Sequence, residues 1–288
     1  FVNGGNNTID GDGGYDRASY APGRGPSTDF EITYIDGSAH VKGQNTLDIL
    51  TNISTIEFMD DSKIFTTCQQ EPKGMAVIDV KSRKEIKMVP IKGGRAGGMD
   101  PQGKYFMVSA SKSVHFFDSQ TAELVKTIKV PGGGGNFTCL KDGSKCYVGL
   151  RKANAVGVID MAKLELMKTI ETGPDANRLY LNPGNSRYGL FANEAGKSDI
   201  VSIIDTQLDV KVKDIWTGLG PHNVAFDPDG KFAVISTKKE NVATLVDTGS
   251  ADPNDWDVIT TDLDSGIQNN GVRWVPSPAA LKKALAQN

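Results

Sequence analysis

The amino-acid sequence predicts an all-β protein, a β-propeller built of four-stranded blades, and two recurring features support this. An apolar strand that ends in aspartate recurs with spacings of 39, 42, 45 and 42 residues, at Asp79, Asp118, Asp160, Asp205 and Asp247. A turn rich in Asp, Asn, Pro and Gly lies about 20 residues before each aspartate, and these residues favour tight turns. One such unit every 40–45 residues or so has the period of a propeller blade.

Within each repeat, the turn joins two short β-rich runs, such as residues 223–226 and 232–235. We label the strands A to D: A and B flank the turn, C ends in the aspartate, and D follows, as at 123–128. The apolar residues alternate with a period of two rather than 3.6, which argues against a helical solenoid. The sequence therefore predicts about five clear blades.

The repeats resemble a known family. The segment GPHNVAFDPDGK at 220–231 with Val246-Asp247, and KCYV at 145–148 with VGVID at 156–160, are similar to the YVTN family of β-propeller repeats. The resemblance covers residues 55–275 and implies the propeller fold. It leaves the activity open, because propellers of this kind serve as surface proteins, binding scaffolds and, in relatives, enzymes.

Residues 1–54 differ from the repeats in being rich in Gly, Asn and Asp. The nonapeptides at 2–10 and 11–19 resemble the calcium-binding repeat of RTX proteins, and residues 29–58 resemble the module that closes such repeats in secreted bacterial proteins. Oxygen-rich loops suit Ca²⁺, so the resemblance implies a β-roll-like segment. Asn7 replaces the first expected Asp ligand, and an ordinary polar loop is the alternative. The implied metal ligands are Asp10, Asp12 and Asp16.

Three segments follow from these patterns: an RTX-like segment with a hairpin at 1–54, the propeller at 55–275, and a short C-terminal helix within 276–288. The helix is indicated by Ser277 as N-cap and Pro278 at the first helical position. In an alternative division, residues 24–60 form a degenerate blade of a seven-bladed ring. With five blades only, a partner chain, self-association or the N-terminal segment must cover the open edges.

The loops between strands D and A and between B and C share one face around the central channel. Lysine recurs in every B–C loop, and asparagine begins four of the five A strands. We expect this basic ring to attract an anionic ligand or a protein partner by focusing the electric field; a solvated rim is the alternative. The predicted ligand-binding residues are Lys73, Lys112, Lys152, Lys197, Lys238, Arg95, Asn136, Asn177, Arg178, His222, Asn223 and Asn270.

Composition and motifs exclude several classes of function. A net charge of −3 and a pI near 5.7 argue against a nucleic-acid binder, and no apolar run reaches the ~18 residues of a membrane span. The sequence contains no haem, nucleotide or flavin motif.

His115 lies in an apolar strand and is interpreted as structural. Cys139 and Cys146 face each other across an Asp-Gly hairpin, either as a disulfide or as two buried thiols.

The sequence favours a binding protein over an enzyme. The leading hypothesis is a bacterial interaction protein, extracellular, on the cell surface or periplasmic, that uses the Lys/Asn face and carries Ca²⁺. The alternative is a propeller enzyme or enzyme subunit, a lactonase-like hydrolase or the non-cofactor chain of an oxidoreductase. Its site then lies at the channel mouth around Asn177, His222 and Asn223.

Calcium binding at the N-terminal repeats predicts calcium-dependent stability. At 100 times the Kd, a ligand specific to the folded state contributes about 2.7 kcal/mol, which corresponds to roughly 5–10 °C in melting temperature. We expect this rise in calcium over excess chelator, and its loss in the D12N/D16N variant. A melting temperature unaffected by chelator contradicts the calcium assignment.

Overall fold

The structure is a computed structural model. It describes residues 63–264 except 69–73, 81, 83, 195–197 and 241, together with the backbone of six short strands before residue 63. In the described residues the helical elements are two single 3₁₀ turns, Arg151–Ala153 and Pro253–Asp255. The C-terminal helix expected within 276–288 lies outside the described residues.

The strands are numbered in chain order. The N-terminal strands are β1 (Thr8–Asp10), β2 (Arg17–Ala18), β3 (Glu31–Ile35), β4 (Ser38–Gly43), β5 (Thr46–Thr51) and β6 (Thr55–Ile56). The first two blades contain β7 (Lys63–Cys68), β8 (Gly74–Asp79) and β9 (Lys84–Pro90), then β10 (Ala96–Met99), β11 (Tyr105–Ser109), β12 (Ser113–Asp118) and β13 (Leu124–Lys129). The third blade contains β14 (Phe137–Cys139), β15 (Lys145–Leu150), β16 (Ala155–Asp160) and β17 (Glu165–Glu171). The last two contain β18 (Ala176–Leu181), β19 (Tyr188–Asn193), β20 (Ile200–Asp205) and β21 (Val210–Trp216), then β22 (Pro221–Phe226), β23 (Phe232–Thr237), β24 (Val242–Asp247) and β25 (Asp257–Asp264).

The sheet topology confirms the predicted propeller architecture. In the described residues, blades two to five are sheets of four antiparallel strands in the chain order A-B-C-D, and the first blade contains three strands. The strand expected to begin the first blade is β6, which instead pairs in parallel with β2. Strand β1 likewise pairs in parallel with β5, beside the β3–β4 hairpin.

The hydrophobic core lies between consecutive blades. Phe116 of the second blade and Val148 of the third belong to one buried cluster. Tyr188 of the fourth blade and Trp256 of the fifth belong to another, and their rings meet edge to face with centroids 6.0 Å apart. Because each cluster draws on two neighbouring sheets, a blade buries its apolar faces only when the next one is present.

The recurring aspartate is the acceptor that shapes the turn between strands C and D. The Oδ1 atom of Asp118 accepts hydrogen bonds from the backbone N–H groups of Gln120, at 2.9 Å, and Thr121, at 2.8 Å. Asp160 and Asp205 make the same two bonds to the second and third residues that follow them. These turns also share a residue with positive φ, between 51° and 56°, at the fourth position after the aspartate: Ala122, Leu164 and Asp209.

Lysine side chains of one blade donate hydrogen bonds to the C–D turn of the next blade. Lys126 Nζ donates to the carbonyl of Lys163 at 2.9 Å, and Lys87 Nζ donates to that of Ala122 at the same distance. Tyr147 of the third blade donates to Asp209 of the fourth at 2.6 Å. Burial and the neighbouring Asp209 carboxylate raise the pKa of Tyr147, so its hydroxyl stays neutral and remains a donor.

Cys139 and Cys146 form a disulfide across the A–B hairpin of the third blade, with their Cα atoms 3.9 Å apart. Both cysteines are buried and lie directly opposite each other in the register. The connecting loop spans 141–144 and is therefore longer than the Asp-Gly pair from which the hairpin was predicted, since the last backbone bond runs from Leu140 N to the carbonyl of Lys145. The Asp142 side chain accepts a hydrogen bond from the Ser144 N–H at 2.9 Å, which stabilises this loop.

Asp205 should contribute more stability than Asp118, because its Oδ2 atom also accepts two bonds from Arg187, at 2.6 and 2.9 Å. We expect D205A to lower the free energy of unfolding by about 2–3 kcal/mol and D118A by about 1 kcal/mol, measured by urea denaturation at pH 7.

The Asp205 contribution should also depend on pH. Burial opposes its ionisation, yet hydrogen bonds from Arg187 and the turn N–H groups outweigh burial and lower the pKa of Asp205 below 3.8. The contribution is therefore present above pH 3.8 and is lost as the pH falls through the folded-state pKa. Equal destabilisation by D205A at pH 7 and at pH 2.5 contradicts this role.

Candidate functional site

Five polar side chains from three blades converge on the face formed by the B–C and D–A loops. We call this group the mouth cluster: Arg151, Asp175, Glu194, His222 and Lys238. They come from the 3₁₀ turn after β15, the loop before β18, the residue after β19, the start of β22 and the residue after β23. No two neighbouring members belong to one strand, so the cluster forms only when the blades are assembled.

Glu194 lies at the centre of the mouth cluster. Its Oε2 atom accepts a hydrogen bond from Arg151 Nη1 at 2.7 Å, and its Oε1 atom accepts one from Lys238 Nζ. The His222 Nε2 atom lies 3.4 Å from the same Oε1. Arg151 also reaches Asp175 Oδ2 through Nη2 at 2.5 Å. One carboxylate thus contacts two cations and an imidazole.

The electrostatics keep Glu194 ionised. The side chain is only 12% exposed, and this burial by itself raises its pKa. Hydrogen bonds from Lys238 and Arg151, with the charge of Arg151, outweigh burial and hold the pKa of Glu194 below its ordinary value of 4.5. At neutral pH the Glu194 side chain is therefore an ionised carboxylate beside the His222 ring.

Two β-bulges position the residues that begin strands β18 and β22. The register passes from Ala176 opposite Asn193 to Arg178 opposite Ala192, which leaves Asn177 as an extra residue. A comparable irregularity in β22 contains His222 and Asn223. Bulges redirect side chains at strand ends, and the irregular residue His222 of β22 contacts Glu194 of the fourth blade.

The structure divides the residues that the sequence predicted for this face. His222 and Lys238 belong to the mouth cluster, whereas Arg95, Lys112 and Lys152 are exposed on loops outside it. The charge of Lys238 is neutralised by Glu194, so the predicted lysine ring is not uniform over the described residues. The predicted residues Lys73, Lys197 and Asn270 lie outside the described residues.

The remaining predicted residues line the inner strands. Asn136 Nδ2 donates to Asn177 Oδ1 at 3.0 Å, so two of the recurring asparagines pair between blades. The Arg178 guanidinium lies 5.2 Å from the centre of the Tyr180 ring, and the Tyr180 hydroxyl donates to Asn223 Oδ1. These contacts place Arg178 and Asn223 on strands β18 and β22, outside the mouth cluster.

Sequence reasoning did not single out Arg151, Asp175 or Glu194. Arg151 directly precedes the recurring Lys152, and Asp175 lies in a D–A loop already assigned to this face. The positions of both residues in the repeat could therefore have indicated that they lie on this face. Glu194 ends strand B of the fourth blade and has no acidic counterpart in the other repeats. A search restricted to recurring positions therefore passes over it.

His115 and the predicted metal ligands lie apart from the mouth cluster. The His115 ring nitrogens hydrogen-bond to Ser113 Oγ, at 2.9 Å, and Thr127 Oγ1, at 3.1 Å, and burial lowers its pKa, which confirms a structural role. Asp10 ends strand β1, while Asp12 and Asp16 lie outside the described residues.

In the described part of the chain, no three His, Cys, Asp or Glu side chains converge in a metal-binding arrangement. No helix of that part has the length and apolar character needed to cross a membrane.

Comparison with known proteins supports the fold and leaves the activity open. No protein-family model and no curated protein match the sequence. A putative 6-phosphogluconolactonase from Bacteroides fragilis is similar in structure, with a TM-score of 0.57, 18% identity and coverage of 80% of this chain and 78% of the other.

Hydrazine synthase from Kuenenia stuttgartiensis is also similar, with a TM-score of 0.50, 24% identity and coverage of 60% of this chain. The match spans about half, 52%, of the hydrazine synthase chain. At these identities the likeness establishes the fold alone. The chain is thus a β-propeller with two carboxylates, a histidine and two cations clustered at one face.

Glu194 should hold the mouth cluster together. We expect E194Q to lower the free energy of unfolding by about 2 kcal/mol at pH 7, because Lys238 then lacks a carboxylate and Arg151 keeps only Asp175 in a partly buried site. The matched control E171Q changes an exposed glutamate, and we expect it to cost less than 0.5 kcal/mol or so.

The lowered pKa of Glu194 gives the direction of the pH dependence. Its contribution is present above pH 4.5 and is lost as the pH falls through the folded-state pKa. Urea denaturation of both variants at pH 7 and at pH 3 measures the difference. If E194Q is as stable as wild type at pH 7, the cluster does not contribute to stability as described.

Proposed function

We propose that this chain is a propeller enzyme, a lactonase-like hydrolase, whose active site is the mouth cluster. The observation that carries the proposal is the His222 ring, with Nε2 3.4 Å from the Glu194 carboxylate, inside a group of cations. Histidine is the side chain best suited to move protons near neutral pH, and a fixed carboxylate beside it stabilises its protonated form.

In the proposed reaction, His222 activates a water molecule. The ring takes a proton from water through Nδ1 while Nε2–H faces Glu194, and the hydroxide forms a bond to the lactone carbonyl carbon. The carbonyl–oxygen bond of the ring then breaks, and the leaving alkoxide takes the proton back from the imidazolium. Glu194 remains ionised throughout, because Arg151 and Lys238 hold its pKa low.

The rim of the site supports an anionic substrate. The charges of Arg151 and Lys238 are balanced by Asp175 and Glu194, so the positive field comes from the exposed Lys152 at the rim. The similar Bacteroides fragilis structure carries the name of an enzyme for a phosphorylated lactone. We therefore propose a lactone that bears a phosphate or carboxylate group as the substrate.

A binding function at the same face is the second candidate. Lys112 and Lys152 are exposed there, and neither pairs with a carboxylate in the described part of the chain. Under this proposal the face docks an acidic protein or another anionic partner in an extracellular, cell-surface or periplasmic setting. The Cys139–Cys146 disulfide supports such an oxidising compartment.

The hydrolase proposal predicts a strong dependence on His222. We expect H222Q to reduce kcat by at least about 100-fold, the usual contribution of a general base, with an unchanged circular dichroism spectrum. The assay measures acid release from δ-lactones with and without a phosphate group. The control H115Q changes a histidine outside the site, and we expect it to retain wild-type activity.

Two outcomes would decide against the hydrolase. Wild-type protein that hydrolyses none of the lactones leaves the binding function as the better proposal. Equal rates for H222Q and wild type would show that hydrolysis, if present, occurs elsewhere.

A further inference from the structure

A separate cavity of about 690 Å³ lies along the inner strands of the third, fourth and fifth blades. Its wall includes β18, part of β14 and β22, and the A–B turns of the third and fourth blades, and no member of the mouth cluster lines it. It therefore lies beside the A–B turns and is distinct from the mouth cluster. Its volume is within the usual range for small-molecule sites, about 300–1,000 Å³.

The wall of the cavity is positively charged. Four basic side chains and one acidic side chain, Asp142, line it. Two of the basic residues are neutralised by carboxylates outside the wall: Lys145 by Asp209 at 2.7 Å and Arg187 by Asp205 at 2.6 Å. The other two are Arg178 and Lys141, and in the described part of the chain neither has a carboxylate partner.

Arg178 carries an unsatisfied donor. Its Nε atom is buried and has no hydrogen-bond partner among the described residues. A buried N–H without an acceptor is unfavourable, and native proteins normally satisfy such groups. Arg178 also lines the cavity, so a small shift of its side chain brings Nε and one Nη, which together form a fork for two oxygens, to a ligand bound there.

The surrounding side chains hold the guanidinium without neutralising it. It lies over the Tyr180 ring, 5.2 Å from the ring centre. The Tyr180 hydroxyl donates to Asn223 Oδ1 and, at 3.3 Å, to the His222 carbonyl, which fixes the ring between two blades. A cation positioned by an aromatic ring keeps its N–H groups available for a ligand.

We propose that this cavity is a binding site for a small organic anion, with Arg178 as the main ligand-binding residue and Lys141 at the rim. The anion presents two oxygens on one carbon or phosphorus atom, as a carboxylate or phosphate monoester does. The proposal does not depend on the hydrolase activity, because the cavity and the mouth cluster share no residue.

The experiment measures binding to the full chain by titration calorimetry and thermal shift, without turnover. The probes are inorganic phosphate, glucose 6-phosphate, citrate and neutral glucose. We expect at least one anion to bind and glucose not to bind. Tighter binding of glucose 6-phosphate than of citrate identifies a phosphate ligand, and the reverse order identifies a carboxylate.

Variants test the role of Arg178. We expect R178Q to weaken anion binding at least tenfold and R178K to be intermediate, since lysine keeps the charge but not the fork. The matched control is K104Q, which removes an exposed cation that also lies over a tyrosine ring, at 4.9 Å from Tyr105, but outside the cavity. K104Q should bind as wild type does.

A stability measurement separates ligand binding from a structural role. Without ligand, we expect R178Q to melt no lower than wild type, because an unpaired donor has been removed. If R178Q does not fold, K141Q provides the test, with binding weakened several-fold and a weaker salt dependence. No stabilisation of wild type by any anion, or equal binding by wild type and R178Q, overturns the proposal.

The two proposals fail separately. H222Q should retain anion binding in the cavity, so the loss of hydrolysis in that variant leaves this site intact. Conversely, a protein that hydrolyses no lactone but binds anions through Arg178 supports the cavity and contradicts only the hydrolase.

Discussion

The hydrogen bond from the Asn136 N–H to the Asn177 carbonyl, at 2.9 Å, joins the inner strands of the third and fourth blades, and the assembly depends on contacts of this kind. It requires an unusually close approach of two backbones: a Cβ added to Gly149 would lie 2.2 Å from the Asn177 oxygen. Glycine is therefore needed at position 149. The hydrogen bond between the Asn136 and Asn177 side chains joins the same two blades. Because the blades meet this closely, loops distant in sequence are brought to one face.

The mouth cluster and the cavity differ in how charge is balanced. At the mouth cluster, Glu194 pairs with Arg151 and Lys238, so the charges are satisfied within the protein. In the cavity, Arg178 is held by the Tyr180 ring and lacks a carboxylate partner in the described residues. The first arrangement stabilises the assembly and presents a fixed charge to His222. The second leaves binding capacity for a ligand.

The positions of the recurring residues in the repeat were predicted correctly, but the contacts of their side chains were predicted less well. The aspartate that ends strand C at Asp118 or Asp205 marked the repeat correctly, and the structure shows why it recurs: its carboxylate accepts the N–H groups of the next turn. The lysines were predicted to act alike, yet Lys238 pairs with Glu194 while Lys112 stays exposed. Equivalent positions in a repeat share backbone geometry but have different neighbours.

The sequence by itself determined the A-B-C-D strand order of blades two to five and the C–D turns that follow the recurring aspartate, because these depend on local periodicity and turn chemistry. Tertiary structure alone decided that Arg151, Glu194 and His222 meet, since they come from three blades and are 43 and 28 residues apart in the chain. It also decided that the Arg178 Nε is buried without an acceptor. Such contacts depend on how the sheets pack, and the spacing of residues in the sequence does not determine which side chains of different sheets meet.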